Sequence, residues 1–112
     1  MEALMDSEKQ KKVHDFWDRA SCGEELYLTD SDQVGYEAHS VARYALEGEL
    51  IFPFARFSET KGLSVLEIGV ELGADHQKFA EAGARLHGID FSRRAIELTK
   101  RRFSCFNIVS KL

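Results

Sequence analysis

Five residues of one stretch carry the chain's most suggestive chemistry: Glu67, Gly69, Glu71, Gly73 and Asp90, within VLEIGVELGADHQKFAEAGARLHGID. Glycines in a turn let the backbone come close to a ligand and adopt φ angles that side chains resist. A helix starting just after such a turn offers unpaired N–H groups. Asp90 follows Gly69 by 21 positions (90 minus 69), near the roughly 20 that separate a phosphate-turn glycine from a ribose-binding acid. A carboxylate there can accept hydrogen bonds from both hydroxyls of a ribose, so the spacing favours an adenosine-bearing cofactor. Glu71 stands where a further glycine is expected.

The elements that must position these residues can be read from periodicity. LSVLEI, Leu63 to Ile68, is a short apolar run between Gly62 and Gly69 and suits a buried parallel strand. Gly69 to Gly73 is then a turn. Asp75 caps or enters the first turn of a helix through Phe79 and Ala80 that Gly83 ends. RLHGID reads as a second strand, and Ser92 caps a last helix with Ile96, Thr99 and Phe103 on one face. Strand, helix, strand, helix with short links is a right-handed βαβ unit, whose binding chemistry gathers at the strands' carboxyl ends.

The first half reads as helical. Ser7 with Gln10 makes a capping-box start, and Val13, Phe16, Trp17 and Ala20 form one apolar stripe ending before Gly23. Trp17 is expected to pack in the core. After LTDSDQ, a second helix carries Ala38, Val41, Ala42, Ala45 and Leu46, pairs Arg43 with Glu47 at i, i+4, and ends near Gly48. Ile51, Phe52, Phe54 and Phe57 follow, with Pro53 marking a first turn or a break. The polar run SETKG closes this part, so residues 1–58 form a helical lead-in and 59–112 the binding unit of one truncated domain.

Composition narrows the function. A chain of 112 residues, 44% hydrophobic, can build one core. A net charge of -4 gathers no phosphate backbone, so no nucleic-acid partner is expected. No apolar run nears the roughly 20 residues of a membrane span, and MEALMDSEKQKK lacks a signal peptide's apolar stretch. A cytoplasmic location with no membrane partner is expected. Cys22 and Cys105 form no CxxC pair and read as small buried hydrophobes. His14, His39, His76 and His87 lack ligand spacing, so no metal site is expected. EKQKK and the KRR of Lys100 to Arg102 read as solvated faces.

A dinucleotide fingerprint anchored on Gly69 needs glycine at 71 and leaves Gly73 without a role. The pattern ExGxGxG anchored on Glu67 misses only at Glu71. In this the stretch VLEIGVELGADHQKFAEAGARLHGIDFS resembles the cofactor motif of class I S-adenosylmethionine-dependent methyltransferases, especially bacterial small-molecule enzymes with VLEIGVGxGxD. FWDRASCGEELY and ARYALEGELIFPFARF are similar to the helical lead-in of the same group.

That resemblance implies an α/β fold: a Rossmann-like βαβα cofactor-binding unit after a helical amino-terminal segment, with the sheet incomplete. It implies that Glu67 and the turn of Gly69, Val70 and Gly73 hold the methionine portion of S-adenosylmethionine. Asp90 would hold the ribose hydroxyls and Phe91 would flank the adenine. The plainer alternatives are a tight turn at Gly69 and Gly73 and a helix-capping Asp90. Glu71 departs from the pattern, by crowding the turn, forcing a positive φ, or turning outward.

The family continues past Phe103 with further strands, so the chain reads as the amino-terminal portion of a longer enzyme. The methyl acceptor is expected to be a small molecule. His14, His39, Tyr27, Tyr36 and Tyr44 are candidate pocket residues, each better read as packed or surface, and no catalytic residue can be assigned. Two parallel strands leave unpaired edges, so self-association or a partner chain at the open sheet edge is expected. A non-catalytic interaction module and a nicotinamide-dinucleotide domain are the competing readings.

Overall fold

The structure, a computed structural model, describes residues 2–19, 32–109 and 111–112, the side chains of 2–6 and 17–19 excepted. Expectations for Trp17, Ala20, Cys22 and Tyr27 therefore lie outside the described residues. Among those described, four α-helices and a two-stranded parallel sheet follow in order: α1 (Glu2–Arg19), α2 (Gln33–Ala55), a 3-10 turn (Phe57–Glu59), β1 (Ser64–Ile68), α3 (Ala74–Glu81), β2 (Arg85–Ile89) and α4 (Arg93–Cys105). No described helix is long and apolar enough to cross a membrane.

Helix α1 starts at Glu2, so Ser7 lies inside it and caps nothing. It rests against α4. Val13 and Phe16 nonetheless remain about half exposed, so this part of the apolar stripe is only partly covered.

Helix α2 departs most from its sequence reading. Asp32 caps it, accepting from the Gly35 N–H at 2.9 Å. The helix then runs past Gly48 and through Pro53 until Arg56, in the left-handed region, closes it with an N–H to the Phe52 carbonyl. Gly48 is a packing glycine rather than a stop: a Cβ there would sit 3.2 Å from the Phe52 ring. The expected apolar stripe faces solvent, with Val41 and Leu46 exposed, while Tyr36 and His39 point inward. Polar groups beneath the helix account for this reversal, because alanine and valine could not satisfy them.

One of those groups is Arg102, expected on a solvated face and found 1% exposed. Its guanidinium donates to the carbonyls of Leu72 (3.2 Å) and Tyr36 (3.1 Å), to Gln77 Oε1 (2.6 Å), to His39 Nδ1 (3.0 Å) and to Ser40 Oγ. Around it Tyr36, Leu72, Ala95, Leu98 and Phe103 form the core. Tyr44, Phe52, Phe57 and Phe79 make a second, aromatic cluster under the end of α2.

The strands pair in the register Ser64↔Arg85 through Ile68↔Ile89, and the Gly69 N–H extends the ladder to the Ile89 carbonyl at 2.8 Å. Val65, Glu67, Leu86 and Gly88 are the more protected set, whereas Ser64, Leu66, Ile68, Arg85, His87 and Ile89 are all exposed. The expectation of a buried strand is thus corrected: one face of the sheet is open to solvent. Ser92 caps α4 as its sequence suggested, accepting from the Ala95 N–H at 3.2 Å. Leu98, Thr99, Arg102 and Phe103 are buried on that helix.

Candidate functional site

The turn that joins β1 to α3 gathers most of the residues singled out from sequence. Gly69, Glu71 and Gly73 all lie in the left-handed region, with φ of 82°, 53° and 83°. Glycine accepts this freely, but a glutamate there carries strain on the order of 1 kcal/mol. The positive φ anticipated for residue 71 is what the turn requires.

Three contacts hold the turn in that shape. Asp90, at the end of β2, accepts the Glu71 N–H on one carboxylate oxygen (3.1 Å) and the Ser92 N–H on the other (2.8 Å). Thr99 of α4 donates its hydroxyl to the Glu71 carbonyl at 3.1 Å. Arg102 takes the next carbonyl, that of Leu72. Asp90 therefore tethers the turn and the start of α4 at once. Each of its oxygens keeps a second lone pair for a ligand hydroxyl.

Gly69 and Gly73 differ in what their missing side chains permit. A Cβ on Gly73 would meet Thr99 Cγ2 at 2.8 Å, so that glycine lets α4 approach. A Cβ on Gly69 would meet nothing within 4 Å, so the backbone there is open to an incoming molecule. Val70, the third expected residue of the turn, is buried and packs inward.

Glu67 points back beneath the turn and accepts from His76 Nδ1 at 2.9 Å. Burial pushes its carboxyl above the usual range, partly offset by that hydrogen bond. His76 is fully buried, and its Nε2 has no hydrogen-bond partner among the described residues. Phe91 is 56% exposed, and the ring of His14 from α1 meets it edge to face at 5.1 Å. Glu67, Gly69 and Glu71 share one cleft, Asp90 braces it, and Phe91 lies outside its lining.

Sequence reasoning named Tyr44 as a candidate pocket residue but preferred a packed or surface role for it, and read Arg43 only as the partner of Glu47. Arg43 forks onto Asp75, with Nε to Oδ1 at 3.2 Å and Nη2 to Oδ2 at 2.8 Å, and Tyr44 donates its hydroxyl to the same Oδ1 at 2.7 Å. Arg43 Nη1 also lies 3.7 Å from Glu71 and 3.6 Å from Glu47, the pairing expected from the i, i+4 spacing. Burial works against the Arg43 charge, yet Asp75 and the two glutamates hold its pKa above the ordinary value. Burial and then Asp75 push the Tyr44 phenol up. The signal was present: Tyr36, His39, Ser40, Arg43 and Tyr44 fall at i, i+3, i+4, i+7 and i+8, a polar stripe with helical period.

The cleft walled by Arg43, Glu67, Gly69, Glu71, Gly73 and Asp75 has a volume of about 40 Å³. Cofactor pockets run from roughly 300 Å³ upward, so the cleft in this conformation takes one small group and no more. Three carboxylates, Glu67, Glu71 and Asp75, line the cleft beside the one guanidinium of Arg43, an arrangement that favours a ligand with positive charge. Comparison with family models, with curated proteins and with solved structures finds no match.

Proposed function

We propose that the chain is the cofactor-holding unit of an S-adenosylmethionine-dependent methyltransferase with a small-molecule acceptor, built as a Rossmann-like βαβα unit behind a helical lead-in. One observation carries this reading: a turn with left-handed residues at 69, 71 and 73 ends β1 and faces an acid at the end of the adjacent parallel strand β2. S-adenosylmethionine would supply an activated methyl group on a sulfonium. The open flank of Gly69 would admit its methionine portion. The acid-lined cleft suits its ammonium and sulfonium charges, Asp90 offers lone pairs to the ribose, and Phe91 is an exposed face for adenine.

Backbone and charge fit this cofactor, and the volume of the cleft in this conformation does not; the Glu71 side chain turning outward would widen it. Half-exposed and paired with Arg43 only at 3.7 Å, Glu71 is free enough to do so. The small cleft also supports a second reading, a non-catalytic interaction module that has lost cofactor use.

Calorimetric titration of the chain with S-adenosylmethionine, with the nicotinamide dinucleotide as control, separates these readings. Saturable binding of S-adenosylmethionine alone is expected. Phe91→Ala should weaken it about tenfold, the value of one base stacked on an aromatic ring. Glu71→Gly should tighten it by opening the cleft. A folded sample that binds neither molecule would leave the interaction module as the better reading.

A further inference from the structure

We infer that His76 is a positioning residue for the cleft: seated between Gly88 and Phe103, its imidazole donates Nδ1–H to Glu67 and holds that carboxylate ionised where a ligand's positive charge arrives. This role rests on the cofactor reading proposed above for the identity of the ligand.

Neighbouring elements build the seat of the ring. Glu67 of β1 and Gly88 of β2 are register partners, and both belong to the more protected set of the sheet. The bare Cα of Gly88 is what lets His76 of α3 lie across β2. A Cβ there would come within 2.5 Å of His76 Cε1 and 2.7 Å of Val70 Cγ1. From α4, Phe103 meets the imidazole at 5.2 Å between centroids, with the planes tilted by 32°. The ring is fully buried, and its Nδ1 stands 2.9 Å from Glu67 Oε1. No other hydrogen bond reaches the Glu67 carboxyl among the described residues. His76 Nε2 has no partner there either, so the bond to Glu67 sets the tautomer.

Glu67 needs such a donor. With 16% of its side chain exposed, burial drives its carboxyl toward the neutral form, and a neutral acid draws no cation. A hydrogen bond donated to the charged form works against this, and His76 supplies the largest opposing effect. Among the other charges that face Glu67, Arg43 of α2 favours ionisation less, with its fork on Asp75, and Asp75 of α3 opposes it. Glu71 shares the cleft but is 45% exposed. Leucine at position 76 would fill the same seat and leave Glu67 without a donor, so packing alone does not call for histidine.

Nuclear magnetic resonance on the 112-residue chain tests the dyad without any ligand. Nitrogen-15 shifts should show the His76 proton on Nδ1 and Nε2 bare near neutral pH. Carbon-13 shifts of the Glu67 carboxyl should titrate at higher pH in His76→Leu and return toward wild type in His76→Asn, whose amide nitrogen can stand where Nδ1 stood. Gly88→Ala, which pushes the ring aside, should reproduce the shift with His76 still present. Circular dichroism checks that the variants fold, and the wild-type tautomer needs none of them. In calorimetry, His76→Leu should weaken S-adenosylmethionine binding roughly tenfold, the worth of a hydrogen bond to a charged group, and His76→Asn should recover most of it. A proton on Nε2, a Glu67 carboxyl that titrates alike in wild type and His76→Leu, or equal binding by those two proteins would overturn the role of His76. A shifted carboxyl in a chain that never binds S-adenosylmethionine would uphold the dyad and overturn the cofactor reading instead.

Discussion

Arg102 shows how one side chain can organise a small core without a carboxylate to neutralise it. Its hydrogen bonds reach α2, the turn, α3 and its own surroundings, while its plane lies 5.2 Å from the Tyr36 ring. Burial lowers its pKa to about 10, so the residue stays charged near neutrality and its donors must all be met. Lysine carries one compact ammonium with three donors and cannot reproduce the fork. Arg102→Lys is therefore expected to cost about 3 kcal/mol, in the range seen when a buried charge loses partners, measured by urea unfolding. In the sequence Arg102 looks like its neighbours Lys100 and Arg101, both of which are exposed. Only the tertiary environment separates them.

At the scale of elements, the turn after β1 divides its glycines between packing and access. Gly73→Ala both strains a φ of 83° and drives a methyl into Thr99, so it should cost roughly 2–3 kcal/mol and loosen α4. Gly69→Ala meets only the strain of its own φ of 82° and should cost about 1 kcal/mol. Thermal unfolding of the two variants side by side checks the ranking, and equal costs would mean that α4 does not press on the turn. The order of strands and the cap at Ser92 were legible because turn glycines, caps and apolar runs act locally. The length and inward face of α2 were not. Gly48 resembles a helix stop until Phe52 is seen against it, and a stripe of alanine and valine resembles a core face until Arg102 and Asp75 are seen to need polar partners.

For the whole molecule, acid response follows from groups buried around the site. Burial first, and then the neighbouring charge of Arg102, lowers the His39 pKa from 6.5 to about 4. Below pH 6.5 the unfolded chain takes up a proton that native His39 refuses, so stability is lost as pH falls from 6.5 to 4, by up to about 3 kcal/mol. Glu67 and Glu71 act with the opposite sign: burial raises both above 4.5, so their contribution is fully present below pH 4.5 and is lost as pH rises through their native values. The thermal midpoint should fall on acidification, less so in His39→Gln and more steeply in Glu67→Gln. Parallel curves for all three proteins would show that neither group is linked to folding. The sequence by itself determined the alternation of strand and helix and the placing of Asp90 and the turn at neighbouring strand ends. These follow from backbone sterics and local periodicity. The tertiary structure alone decided that α2 turns its polar side inward, that Arg102 is a core residue, that Arg43 reaches the turn, and that one face of the sheet is exposed. Burial and long-range hydrogen bonding depend on what lies across the core, and no window of sequence contains that.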